Sequence, residues 1–116
     1  MAGKPKVSRS AESYIDDTEI PRRLGGGALK DFVRRDLKTG GVVRFALVYV
    51  NHAITQKDHG RVLGYDDGHG YLHRHFLGSV TALPAMPYEE IVDLFERQWR
   101  ALAMQHVNQE PLELIP

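Results

Sequence analysis

Hydrophobic residues are most concentrated in the middle of the chain, between residues 42 and 50. This run reads Val-Val-Arg-Phe-Ala-Leu-Val-Tyr-Val, and Arg44 is its only charged residue. β-Branched and aromatic residues favour strands, and a run that is apolar at almost every position is typical of a strand with both faces covered. The pattern therefore predicts a strand in the centre of a sheet.

Shorter apolar stretches on both sides of this run predict neighbouring strands. Residues 28–37 fit the spacing of a helix or a strand, and the Lys-Thr-Gly-Gly sequence that follows suits a hairpin turn, which favours the strand. Residues 61–65 and 71–77 carry short apolar runs around a glycine-rich centre, so they predict two strands joined by a turn. The polar residues 51–60 predict a longer loop before them.

The last strong pattern is that of an amphipathic helix over residues 87–107. Its apolar side chains recur at spacings of three and four, at Tyr88, Ile91, Val92, Phe95, Trp99 and Leu102. Pro87 suits the first turn of a helix, and Glu89 and Glu90 complement the positive end of the helix dipole. Residues 79–87, which contain two prolines, predict a loop before the helix.

These patterns predict an α+β fold: a single antiparallel β-sheet of about 4–5 strands with the C-terminal amphipathic helix packed on one face. The predicted domain covers residues 28–107. Residues 1–27 show neither the periodicity of a helix nor that of a strand, and they end in Gly-Gly-Gly. They therefore predict a flexible N-terminal arm. Residues 108–116 form a C-terminal tail, and the sequence leaves open whether it packs on the domain or on a partner.

Composition agrees with a soluble globular protein. The chain of 116 residues is 42% hydrophobic and 26% charged, and no apolar run approaches the roughly 20 residues of a membrane-spanning helix. No apolar segment follows the basic N-terminal residues, so we expect a cytoplasmic protein without a signal peptide. Cysteine is absent, which excludes disulfides and thiolate chemistry, and the formal net charge of zero does not indicate a nucleic-acid-binding protein.

Titratable residues concentrate in residues 61–78, which read Arg-Val-Leu-Gly-Tyr-Asp-Asp-Gly-His-Gly-Tyr-Leu-His-Arg-His-Phe-Leu-Gly. Alternate side chains of a strand share a face, so His73 and His75 should lie on one face, with Cα atoms roughly 7 Å apart, and Arg74 on the other. Asp66 lies beside the turn that precedes them. Because a turn does not require so many titratable groups, any chemistry is expected at this hairpin.

Three interpretations fit this cluster. In the first, His73 and His75 are the general base and general acid that cleave RNA through its 2′-hydroxyl group, Asp66 orients one of them, and no cofactor is needed. In the second, the two histidines bind a divalent transition metal together with His69 or Asp66. In the third, the histidines are structural and form hydrogen bonds with the aspartates of the turn.

Residues around the histidine pair are candidates for binding the substrate. Arginine would stabilise the charged phosphorane of RNA cleavage. The predicted set is Arg61, Tyr65, His69 and Arg74. Strand alternation turns Arg74 away from the histidines, which favours Arg61 or Arg44 as their cationic neighbour.

The hairpin also resembles a known family pattern. The order of its segments is similar to the TumE-like family of small bacterial proteins. It consists of a strand of the type at residues 41–51, then Tyr-Asp, a glycine-bearing turn, His-x-His and a further glycine. The matching positions are Tyr65, Asp66, Gly70, His73, Arg74, His75 and Gly78. The resemblance covers about residues 28–105, and Asp67 stands where the family usually has asparagine.

The resemblance implies a toxin-like component of a type II toxin-antitoxin module, with a helix-turn-helix antitoxin as its partner and RNA as the target of a ribonuclease-type activity. The alternative is a non-catalytic protein-interaction or regulatory module that uses the N-terminal arm and a sheet edge. A small divalent-metal-binding domain with His69, His73 and His75 as ligands is the third prediction. We expect no membrane association, and the sequence leaves the oligomeric state open.

Overall fold

The structure, a computed structural model, describes residues 11–116 and contains a six-stranded antiparallel sheet and one long helix. The strands lie side by side in the same order as in the chain. They are β1 (Ala11–Glu19), β2 (Ala28–Asp36), β3 (Val42–Val50), β4 (Arg61–Asp66), β5 (His73–Phe76) and β6 (Ser79–Ala82). The helix, α1 (Tyr88–Val107), follows the sheet in the chain, and two short 3-10 turns lie at Arg22–Leu24 and Lys57–Gly60.

The predicted α+β architecture is confirmed, but the sheet has six strands, β1 to β6, instead of the predicted 4–5. The two additional strands, β1 and β6, form the edges. The prediction of an arm without regular structure is wrong for β1, and residues 1–10 of that arm lie outside the described residues. The predicted loop over residues 79–87 begins with β6, although pairing does end before Pro84. Nearly all residues of both edge strands are exposed, so neither strand needs the alternation of apolar and polar side chains by which a half-buried strand is recognised.

The hydrophobic core lies between α1 and the centre of the sheet. Its buried residues are Phe45, Leu47, Tyr49, Val62, Leu63, Tyr65, Leu72, Ile91, Phe95, Trp99, Leu102 and Ala103. The helix thus covers β3 and β4, and its apolar stripe faces one side of the sheet, as predicted. The C-terminal tail packs on the domain: Gln105 forms two hydrogen bonds with the backbone of Glu113, and Gln98 donates one to the carbonyl of Ile115.

Strand register places the histidine pair on the face opposite α1, which we call the distal face. Tyr65 donates a hydrogen bond to Gln98 of α1, so the side of the sheet to which Tyr65 points is the helix side. Asp66 is the neighbour of Tyr65 in the chain and pairs with His73 across β4 and β5, while Gly64 pairs with His75. Because adjacent residues of a strand point to opposite faces, Asp66, His73 and His75 lie on the distal face.

Candidate functional site

Asp66 lies between the two histidines and contacts both. Its Oδ1 is 2.8 Å from Nε2 of His73, and its Oδ2 is 3.3 Å from Nε2 of His75. The centroids of the two imidazole rings are 5.1 Å apart. The predicted grouping of the pair on one face, close to Asp66, is therefore confirmed, and Asp66 orients both rings instead of one.

A second carboxylate, that of Asp58, reaches the same cluster from the loop between β3 and β4. Its Oδ2 is 3.3 Å from Nδ1 of His75 and 3.0 Å from Nε of Arg61. The loop directs it there through a left-handed backbone, with φ of 50° at Asp58 and 57° at His59. Non-glycine residues rarely adopt this conformation, and such strain is often found at functional sites.

Gly64 makes room for Arg61 on the distal face. A Cβ atom at Gly64 would lie 2.9 Å from Cδ of Arg61, so any side chain there would displace the arginine. Arg61 uses this space to bind Asp58 with two nitrogens, at 3.0 and 3.2 Å, while its nearest contact to Asp66 is 3.9 Å. The guanidinium group is therefore neutralised mainly by Asp58.

The turn between β4 and β5 covers His73. The rings of His69 and Tyr71 lie 5.7 and 5.4 Å from the ring of His73, centroid to centroid. The backbone carbonyl of Tyr71 is 3.3 Å from Nδ1 of His73. As a result His73 is only 4% exposed, whereas the side chain of His75 is 14% exposed.

The structure separates the predicted residues into two groups. Arg61 and His69 join the cluster on the distal face, but Tyr65 and Arg74 lie on the helix face. Tyr65 is fully buried, and this burial raises the pKa of its hydroxyl group. Arg74 lies opposite Tyr65 in the register, and its Nε is buried without a hydrogen-bond partner. The structure therefore does not bring Tyr65 and Arg74 to this cluster, because the strand register turns both of them to the other side of the sheet.

Asp58 was missed by the sequence analysis. It lies in a polar loop that has no periodicity to indicate where its side chains point. The only sequence signal was its position in Asp-His-Gly, directly before β4. Such a residue can be found from the path of the chain but not from strand alternation.

Two arginines extend the distal face beyond the cluster. Arg34 of β2 pairs with Arg44 of β3, and Arg44 is two residues from Ala46, which pairs with Asp66. The guanidinium group of Arg44 reaches the turn after β4, since its Nη2 would lie 3.4 Å from a Cβ atom at Gly68. Cationic side chains thus lie beside the Asp66 cluster on the same face.

Asp66, His73 and His75 also meet a geometric requirement of a metal site. Each offers one donor atom, and these atoms lie within 4.8 Å of one another. The third predicted ligand, His69, stacks on the ring of His73 instead. Two histidines and one carboxylate form a donor set that divalent transition metals accept.

Comparison of the chain with protein-family models, curated proteins and solved structures found no match. The similarity to the TumE-like family stays a prediction that rests on the residues of the hairpin. Among residues 11–116, no helix combines the length and the apolar character needed to cross a membrane.

Proposed function

We propose that the protein is the toxin-like component of a bacterial toxin-antitoxin module and cleaves RNA at the cluster of Asp66, His73 and His75. The convergence of both histidines on one carboxylate is the observation that carries the proposal. The cluster lies on the face of the sheet that α1 leaves free, so these side chains are not part of the core under the helix. The same three positions match the TumE-like pattern, and a cytoplasmic location belongs to the proposal because RNA is the target.

The surroundings of the cluster suit a polyanionic substrate. Arg34 and Arg44 lie on the same face and are not paired with carboxylates among the ion pairs of residues 11–116. Arginines bind phosphate oxygens, and cations near a scissile phosphate stabilise the charge that develops during cleavage. His75, the more exposed of the two rings, is the histidine that a bound strand of RNA would approach first.

Replacing His73 and His75 together by alanine tests this function. We expect growth inhibition to be abolished and RNA cleavage by the purified protein to fall at least about 100-fold, because both routes to cleavage, by acid-base catalysis or by a metal, use these rings. Growth after induction and the degradation of defined RNA are the measurements. A double variant of His52 and His106, two histidines outside the cluster, should retain both activities. A folded His73→Ala/His75→Ala variant that still inhibits growth would refute the proposal.

A second function, the binding of a partner protein, is favoured by β1. This nine-residue strand is an edge of the sheet, and its Tyr14 and Ile15 are 63% and 72% exposed. An exposed edge strand offers unpaired backbone groups to a strand of another chain. Its charged residues are all acidic: Glu12, Asp16, Asp17 and Glu19.

The charge of this edge indicates which partner it would accept. Asp16 lies directly opposite Asp31 of β2, and burial together with the charges of Asp16 and Glu96 raises the pKa of Asp31 to about 6. A second copy of β1 would add further acidic residues and would be repelled. A basic extended segment of the helix-turn-helix antitoxin would be attracted, so β1 is proposed as the antitoxin-binding edge.

Charge reversal on β1 tests this edge. We expect Asp16→Lys/Asp17→Lys to weaken binding to the product of the adjacent gene at least about 10-fold, because a basic partner strand would meet repulsion. Co-purification and titration at two salt concentrations are the measurements. The matched variant Glu110→Lys/Glu113→Lys in the C-terminal tail should bind normally. Equal binding by both double variants would exclude β1 as the interface, while antitoxin binding without RNA degradation would favour the non-catalytic module.

A further inference from the structure

We infer that Asp66, His73 and His75 form a binding site for one divalent transition metal ion. As a statement about catalysis this inference rests on the proposed function, because it names the cofactor of the same cluster. As a statement about binding it can be tested without RNA. Three protein ligands leave coordination positions for water or for a phosphate oxygen, as in metal centres that hydrolyse their substrates.

Each histidine nitrogen lies as close to an oxygen of Asp66 as two ligands of one ion would. Histidine nitrogen and carboxylate oxygen bind such metals at about 2.0–2.2 Å, so ligands at tetrahedral or octahedral angles lie about 2.8–3.6 Å apart. Nε2 of His73 is 2.8 Å from Oδ1 of Asp66, and Nε2 of His75 is 3.3 Å from Oδ2. Both pairs fall within this interval, although they involve different oxygens of Asp66. With one donor atom taken from each residue, the three atoms lie within 4.8 Å of one another, so the side chains need only close around an ion.

The second nitrogen of each ring faces an acceptor, as it does in most histidines that bind metals. Nδ1 of His73 lies 3.3 Å from the carbonyl oxygen of Tyr71, and Nδ1 of His75 lies 3.3 Å from Oδ2 of Asp58. A neutral imidazole carries one proton. With that proton on Nδ1, each Nε2 presents a lone pair toward Asp66.

Nδ1 of His75 is buried without a hydrogen bond. Oδ2 of Asp58 lies 3.3 Å from it without hydrogen-bond geometry, and the same oxygen faces Nε of Arg61 at 3.0 Å. Buried polar atoms without partners are uncommon and call for an explanation. A metal at Nε2 would fix the proton on Nδ1, the nitrogen that faces Asp58.

The two carboxylates of the cluster differ in how far an arginine neutralises them. With neutral imidazoles, Asp58, Asp66 and Arg61 carry a net charge of −1, and Arg44 lies beside the turn that follows Asp66. Arg61 is bound through two nitrogens to Asp58, and it approaches Asp66 only to 3.9 Å. Asp66 is therefore the carboxylate that remains for a metal ion.

Burial distinguishes metal binding from acid-base catalysis by the histidine pair. A general acid or base must touch the substrate, but His73 is 4% exposed and is covered by the rings of His69 and Tyr71. A metal ligand has no such requirement. The same stacking excludes His69 from the ligand set, because it presents its ring face to His73.

Metal titration of the full chain, purified without a histidine tag and stripped with a chelator, tests the site. We expect one equivalent of Zn²⁺ or Mn²⁺ to bind with micromolar or tighter affinity, measured by calorimetry and elemental analysis. Ion at 100 times its Kd should raise the Tm by on the order of 10 °C. His73→Ala and His75→Gln should each weaken binding at least about 100-fold. Asp58→Asn, which alters the contact to Nδ1 of His75 and the ion pair with Arg61, should weaken it about 10-fold.

His106→Ala is the matched control, since it removes a histidine in the last turn of α1, outside the cluster; it should bind metal within about threefold of the wild type. The Tm of each variant without metal shows whether it folds, and His75→Gln keeps most of the ring's volume. If neither Zn²⁺ nor Mn²⁺ binds, the inference is overturned. It is also overturned if the double variant His73→Ala/His75→Gln binds metal as tightly as the wild type. RNA cleavage at full rate in excess chelator would overturn the catalytic role of the metal and leave the proposed function intact. Metal binding without any RNA cleavage would overturn the proposed function and leave the binding site intact.

Discussion

Asparagine at position 66 is expected to reduce RNA cleavage at least about 100-fold, since the carboxylate is the one group that both histidines contact. In Asp66→Asn, the amide nitrogen replaces one of the two oxygens that face His73 and His75. The remaining oxygen can still accept the hydrogen bond that Gly68 donates to Asp66 at 2.9 Å. We therefore expect the turn and the Tm to be preserved, and cleavage kinetics together with thermal unfolding measure the two effects separately.

Asp67 provides a control from the adjacent position. Its Oδ1 accepts a hydrogen bond of 3.0 Å from the backbone N–H of Phe45, which attaches the turn to β3 and does not involve the cluster. The side-chain oxygen of asparagine accepts the same bond, so Asp67→Asn should cleave RNA within about twofold of the wild-type rate. Equal loss of activity in the two variants would show that charge near the turn matters and that the Asp66 contacts do not.

The structural role of Asp67 is compatible with the resemblance to the TumE-like pattern. The TumE-like sequences usually have asparagine at this position, and both residues offer an oxygen to the N–H of Phe45. The substitution thus preserves the contact that positions the turn. On the proposed function, this chain is expected to retain an active site.

Strand alternation was sufficient to predict the centre of the fold and the orientation of the histidines. β3 is confirmed at the predicted residues 42–50, because its run of β-branched and aromatic residues is long. Only its helix face is buried, however, and its distal face stays partly exposed. The arrangement of His73, Arg74 and His75 is confirmed for a simpler reason. Adjacent strand residues must point in opposite directions, whatever the rest of the chain does.

Alternation could not predict features that depend on contacts between distant segments. It gave no signal for the exposed strand β1, whose place in the sheet is set by pairing with β2 along nine positions. It could not tell that Tyr65 lies under α1, because that depends on which face the helix covers. Asp58 joins His75 only through the left-handed turn of its loop, a backbone path that neither composition nor spacing specifies.

The glycine run at residues 25–27 was interpreted as the end of a flexible arm, but it packs against the core. The side chain of Asn51 donates a hydrogen bond of 2.8 Å to the carbonyl of Gly25, and the Tyr49 hydroxyl donates one of 3.0 Å to the carbonyl of Gly26. Gly27, with φ of 83°, lies directly against the end of β3. The run therefore connects the outer strands to the part of the sheet that carries α1.

Gly27→Ala is expected to lower the free energy of unfolding by about 3 kcal/mol or more, with two separable causes. The first is the left-handed conformation, which costs alanine about 1 kcal/mol. The second is steric: the added Cβ would overlap the carbonyl oxygen of Val50 and lie 2.9 Å from Cβ of Asn51, and the backbone would have to move to relieve this clash. Gly40→Ala isolates the first cause, since Gly40 has φ of 73° and no neighbouring atom within 4 Å; it should cost about 1 kcal/mol. Denaturant unfolding of both variants measures the difference, and equal destabilisation would mean that the glycine run is not packed against β3.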